Sequence, residues 1–163
     1  MRTSSKKSRP TLTVRELKPT EIQTIFPLVH LHNPSMTKQV FTRRLKQMMP
    51  LGYRAIAAFD GKTMVGVSGF WVRTRFWCGR QLDVDNFYIA EDYRRQGLGG
   101  RLIAWLEKKA LEEDCALMVL DVYTDNNLAQ RFYHREGFVI TGYHFTKIPG
   151  TTKPYVPKNR KQA

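Results

Sequence analysis

Three glycines in four positions, Gly97, Gly99 and Gly100, stand between a strand-like run over 82–90 and a helix-like run over 101–113. Glycine at such a junction removes the side chains that would keep a ligand off the backbone. The unpaired N–H groups of a helix's first turn, reinforced by its dipole, favour an anion there. This build predicts a pyrophosphate cradle rather than a packing element, with Arg94, Arg95 and Arg101 adding positive charge around it.

Two familiar glycine loops are excluded by the letters. A P-loop requires G-x-x-x-x-G-K-[ST] and a dinucleotide fingerprint requires G-x-G-x-x-G; neither occurs. What occurs is R-x-x-G-x-G from Arg94 to Gly99, followed about thirty residues later by N-x-x-A-x-x-F-Y-x-x-x-G-F from Asn126 to Phe138, with an apolar strand-like run over 116–122 between them. One short glycine motif arises often by chance, whereas two in this order, separated by a strand, are specific. Together they resemble the GNAT superfamily of acyl-CoA N-acyltransferases, over roughly residues 11–145.

The resemblance implies an α/β (α+β) fold with a central, mostly antiparallel sheet of six to seven strands flanked by about four helices. It also implies acetyl-CoA as cosubstrate, with no metal, and a primary amine as acceptor. In that family the fourth and fifth strands splay and admit the pantetheine arm. By resemblance, Phe87, Tyr88 and Ile89 offer it backbone groups; Arg94, Arg95, Gln96, Gly97, Leu98, Gly99 and Gly100 hold the pyrophosphate; and Asn126, Ala129 and Tyr133 line the arm's other side. Tyr133 takes the place of the family's tyrosine acid, because a phenol near ~10 stays protonated while a thiol near ~8.5 departs. Asp85 stands where the family's diamine acetyltransferases carry a glutamate. It is one methylene shorter, so a relaying water, Asp83, or a purely substrate-orienting role stays open beside direct abstraction. Asp121 is a weaker alternative, and His144 is expected at the surface.

Around these motifs the pattern predicts a strand over 11–17, a helix from Pro19 to about His32, and a second helix capped by Ser35 and running to Met49, with Val40, Phe41, Leu45 and Met48 inward. His30 and His32 are two apart and do not share a helix face, which argues against a metal pair. Asp60-Gly61 reads as a tight hairpin turn, and Gly66 and Gly69 as a bulge or a close backbone approach. A second turn over 77–80 returns the chain toward the glycine loop. The apolar run over 116–122 predicts a strand covered on both faces and therefore central. Gly137 ends the last helix, and residues 138–145 read as a final strand.

The chain of 163 residues carries a net charge of +13, which suggests nucleic acid until the charge is located. Eight of its 27 basic residues lie in the segments 1–10 and 151–163, which hold no acid. Residues 11–150 therefore carry +5. The expected organisation is a basic tail over 1–10, one N-acetyltransferase domain over 11–148, and a second basic tail over 149–163. The tails read as solvated and mobile, with nucleic acid or ribosome contact as the alternative. No apolar run is long enough for a membrane span and no secretory signal is present, so a cytoplasmic protein without a membrane partner is expected. Cys78 and Cys115 have no zinc-like spacing. The expected activity is acetyl transfer by direct attack in a ternary complex, onto a small-molecule amine. The alternatives are a protein or aminoacyl-tRNA amine, or an inactive basic RNA-associating module. The resemblance also admits a homodimer.

Overall fold

The computed structural model describes residues 12–155. The basic tail over 1–10, Thr11, and Lys158, Arg160 and Lys161 lie outside the described residues. Five strands form one sheet in chain order: β1 (Leu12–Glu16), β2 (Arg54–Asp60), β3 (Thr63–Arg75), β4 (Gly79–Ile89) and β5 (Leu117–Leu120). The first four pair antiparallel and β5 runs parallel to β4. Antiparallel neighbours need only tight turns, and Gly61 and Gly79, both with positive φ, supply them at the two hairpins. The parallel step needs a crossover, which α3 (Leu98–Glu112) provides.

Side chains alternate across the sheet, so each face has its own core. On one face α1 (Phe26–His32) and α2 (Lys38–Met48) cover Ala55, Ala57, Val67 and Trp71. On the other, α3 and α4 (Asn127–Arg135) cover Ile56, Ala58, Phe70, Leu82 and Val84. Leu102, Ile103, Leu106 and Ala110 recur at helical spacing on one stripe of α3, and all four are buried. Each fully buried leucine there stabilises the fold by roughly 2 kcal/mol.

Several boundaries differ from expectation. The first helical stretch is a 3-10 turn, Ile22–Ile25, followed by α1. The second helix is capped by Thr37, whose hydroxyl accepts from the Val40 N–H at 3.2 Å, while Ser35 donates to Asn33 instead. The sheet has five strands among the described residues, and β5 is an edge strand of four half-buried residues rather than a central one. A run of apolar letters reports what a strand can bury, but a central position requires a neighbour on each side, and residues 138–145 do not supply one. They form no strand, and Val139, Ile140, Tyr143 and Phe145 point outward. No helix among the described residues is long and apolar enough to cross a membrane.

A charged cluster ties β1, β2 and α3 at one corner. Arg54 donates to Glu16 at 2.7 and 3.1 Å and to Glu113 at 2.6 Å, and Arg80 reaches Glu113 at 2.9 Å. The Arg54 guanidinium, hydrogen-bonded to the Glu113 carboxylate, holds that group below its usual range. Arg54→Ala is expected to lower stability by about 2 kcal/mol, between the exposed and buried limits for ion pairs, and the melting temperature by about 5 °C. Because Glu113's folded value is depressed, the contribution is present above about pH 4.5 and fades as pH falls through the lower folded value. Thermal melts of both proteins across pH 3–6 should therefore converge at the acid end.

Candidate active site

β4 is the strand on which the site is built. Its pairing with β5 stops at Val84↔Leu120, while pairing with β3 continues to Gly66↔Ile89. Beyond Val84, the side of β4 that faces β5 has no strand partner among the described residues, so the predicted gap exists. Phe87, Tyr88 and Ile89 belong to this stretch of β4.

A bulge sits at the same place. Val67 pairs with Tyr88 and Gly69 with Asp85, so Ser68 stands opposite both Asn86 and Phe87. Asn86 takes φ +50°, which asparagine tolerates better than most residues. The buried Ser68 hydroxyl donates to the Gly69 carbonyl at 3.0 Å and also reaches the Asp85 carbonyl at 3.4 Å. One extra residue shifts the alternation. Leu82 and Val84 face α3, and after the bulge so do Phe87 and Ile89, whereas Tyr88 packs toward α1 and α2.

Asp85 and Tyr133 therefore lie on opposite faces of the sheet. Asp85 shares its face with Trp71, whose indole N–H donates to the carboxylate, as does the Asn86 backbone N–H. Burial raises the Asp85 carboxyl above its ordinary value despite these two donors and the nearby Arg73 guanidinium. Asp83 is likewise raised by burial, with Asp121 and Asp85 adding to the shift and Arg73, 3.9 Å away, opposing it. Tyr133 belongs to the α3/α4 core, its ring edge-on to Phe87, Phe132 and Phe138 at 6.0, 5.0 and 5.7 Å. Burial, with no neighbouring charge involved, pushes its phenol up to about 12.

The glycine loop opens α3 as predicted. Gly97 is the N-cap residue at φ +76° and Arg95 takes φ +59°. Arg95, Gln96 and Gly97 are exposed, and a Cβ at Gly97 would meet nothing within 4 Å. Among the described residues, none stands within 4 Å of the space a Gly97 side chain would take, which suits an anionic diphosphate. Not every glycine there serves a ligand, however. A Cβ on the buried Gly99 would lie 2.9 Å from the Phe132 ring, so this glycine lets α3 and α4 approach, and the expectation that the turn is no packing element holds only in part. Leu98 is fully buried in the same interface. Gly100 faces the Glu136 carboxylate.

Two arginines are turned elsewhere. Arg94 donates to the Ile89 carbonyl at 3.0 Å and stacks over Tyr88 at 5.2 Å. Arg101 donates to the Leu12 carbonyl at 2.6 Å, so its charge is engaged at β1 rather than over the loop. Asn126 caps α4, its side chain accepting from the Ala129 N–H at 3.1 Å, and Ala129 is half-buried just inside that helix. His144 is exposed and 3.1 Å from Asp121. Among the described residues no cluster of His, Cys, Asp and Glu is arranged to hold a metal ion.

Sequence reasoning missed the supports of β4. The Tyr53 ring lies beneath Gly69, edge-on to Trp71 at 5.2 Å, and its hydroxyl hydrogen-bonds the Asn86 side chain. Gly69 signalled a close approach without naming the partner. His32, set aside because His30 was no metal mate, ends α1 with its ring 5.5 Å from that of Tyr88.

Residues 23–138 match the model of the acetyltransferase (GNAT) family. A thialysine N-epsilon-acetyltransferase of Sus scrofa is 30% identical over 78 residues, 48% of this chain and 46% of that protein. An aminoalkylphosphonate N-acetyltransferase of Salmonella typhimurium is 31% identical over 71 residues, 44% of each chain. The chain thus spans about half the length of the curated relatives it matches. Among solved structures, an aminoglycoside N-acetyltransferase in complex with CoA superposes with a TM-score of 0.77 at 14% identity, covering 89% of this chain and 99% of that one. A glucosamine-6-phosphate N-acetyltransferase from Arabidopsis thaliana superposes at 0.66 and 18% identity, covering 85% and 98%. At such identities the superpositions speak for the fold, but the family match spans the glycine loop, the β4 bulge and the Tyr133 helix together. The chain belongs to the GNAT acetyltransferase family.

Proposed function

We propose that this protein transfers an acetyl group from acetyl-CoA to a primary amine of a small molecule, by direct attack within a ternary complex. The observation that carries this reading is the unpaired stretch of β4 beside an open, glycine-lined helix start. Backbone groups of Phe87, Tyr88 and Ile89 would pair with the pantetheine arm, and the turn from Arg95 to Gly100 would hold the diphosphate. Bound there, acetyl-CoA supplies the activated thioester. The chain's own residues do the rest.

Since Tyr133 and Asp85 lie on opposite faces, the amine approaches from the α1/α2 face and the thiol departs on the α3/α4 face. Full proton transfer from a phenol near 12 to a thiolate near ~8.5 is uphill by about 5 kcal/mol. Tyr133 therefore acts as a hydrogen-bond donor to the departing sulfur rather than surrendering its proton outright. Asp83, Asp85 and Asp121 favour a cationic ammonium on the acceptor face, where Asp83 is flanked by the other two. Helix α2 carries Lys38, Arg43, Arg44 and Lys46 with no acidic residue, which favours an acceptor that also bears an anionic group. A relative named for an aminoalkylphosphonate supports an amine of that kind.

Calorimetric titration with CoA, followed by thiol release from acetyl-CoA across a panel of primary amines, tests this reading. Arg95→Glu reverses a charge beside the open turn and is expected to weaken CoA binding about 30-fold, from two changes of about 1 kcal/mol each in a solvent-screened setting. An unchanged affinity removes the loop as the diphosphate site.

A further inference from the structure

Deprotonation is the step that the site leaves without an evident agent. An alkyl ammonium near ~10.4 must lose a proton before it can attack. Asp85 is poorly placed to take it, because its carboxylate is already held by the Trp71 indole and the Asn86 backbone N–H. Asp83 is engaged by Arg73 at 3.9 Å.

His32 is differently situated. Asn33 and Pro34 stop α1 immediately after it, so the ring projects from the helix end onto the acceptor face. Its ring is tilted over Tyr88 at 5.5 Å, and Tyr88 flanks the unpaired stretch of β4. The residue is exposed, so an acceptor in solution can reach its ring. Asp85 of β4 and Arg94 of the loop after it are the charged groups that act on His32, and the Arg94 guanidinium also lies over the Tyr88 ring, 5.2 Å from its centroid. His30 does not compete, being held by the Met36 carbonyl at 2.9 Å.

We propose that the His32 imidazole accepts the proton of the acceptor's ammonium, with Asp85 as the fixed carboxylate that stabilises the imidazolium so formed. This rests on the acetyl-transfer reading above. The ammonium gives one proton to His32. The neutral nitrogen then bonds to the acetyl carbon, the carbon–sulfur bond breaks, the nitrogen passes its second proton to solvent, and the thiolate leaves hydrogen-bonded to Tyr133 and takes up a solvent proton to become free thiol. Burial lowers the His32 value from that of a free imidazole, with Asp85 opposing and Arg94 adding to the shift, a direction that favours the neutral, proton-accepting ring.

The test is the pH dependence of kcat/KM for the full chain and for His32→Gln and Asp85→Asn, with acetyl-CoA and either thialysine or 2-aminoethylphosphonate, reading thiol release. CoA affinity is measured alongside by calorimetry. His32→Gln should lower kcat/KM about 100-fold at neutral pH, as loss of a general base does. It should also erase the acidic limb, keep CoA affinity, and recover part of its rate with added imidazole. Asp85→Asn should keep the limb but move its midpoint to lower pH, because a charge that raises the His32 value has gone. An NMR titration of the His32 ring in the CoA complex should share the wild-type midpoint. Wild-type turnover and an unaltered acidic limb in His32→Gln overturn the assignment while leaving acetyl transfer standing. Absence of CoA binding, or of thiol release with either amine, in the wild type overturns the transfer reading and this inference with it.

Discussion

Tyr133→Phe is expected to lower kcat by about 10²–10³-fold while CoA binds with unchanged affinity. The phenol lies among Phe87, Phe132 and Phe138, so removing its oxygen leaves the ring packing in place and deletes only the donor. Its elevated value, about 12, has a second consequence. A group with a pKa that high does not titrate between pH 6 and about 10, so an alkaline limb in that range is expected to come from a group other than Tyr133. Steady-state kinetics across pH 6–10 check both points. Unaltered turnover in the phenylalanine variant removes Tyr133 from the chemistry, and an alkaline limb lost with it removes the buried-phenol account.

Gly69→Ala is expected to destabilise the protein by about 3 kcal/mol, the upper part of the range for overpacking a core, and to lower the melting temperature by about 9 °C. The added methyl would overlap the Tyr53 hydroxyl and stand 2.6 Å from two of its ring carbons. Tyr53 cannot retreat, being buried and edge-packed on Trp71. The ladder partner of Gly69 is Asp85, and Tyr53 also holds Asn86, so the clash displaces the bulge that sets the two faces of the site. Activity per folded molecule should fall along with stability. Tyr53→Leu in the Gly69→Ala background should recover more than 1 kcal/mol relative to additivity, because the two sites are in contact. Denaturant melts of the two single variants and the double variant measure that coupling, and strict additivity would mean that the ring and the glycine do not meet as described.

The parts of this site that were legible in the letters are those specified by contiguous residues. The glycine-rich turn that opens α3, the Asp60-Gly61 hairpin and the end of the last helix at Gly137 each depend on neighbours within a few positions. Gly69 was marked as a close approach, but its partner, Tyr53, is sixteen residues away and no local pattern points to it. The apolar run ending at Leu120 showed burial and not position in the sheet, because strand order depends on which other segments pair. The alternation after Phe138 looked like a strand for the same reason, since period-two patterning describes a capacity for pairing that a missing partner leaves unused.

Sequence alone determined the order of strands and helices around one glycine-rich turn, and the two motifs that carry the family, because turn geometry, capping and helical periodicity are short-range. Only the tertiary structure decided that one extra residue at Asn86 turns Phe87 and Ile89 toward Tyr133 while Asp85 keeps to the other face, that Gly99 yields to Phe132, and that His32 arrives beside Tyr88. Each of these depends on surfaces that meet when the sheet is closed by helices distant in the chain, and on steric exclusions between atoms that no stretch of sequence holds together.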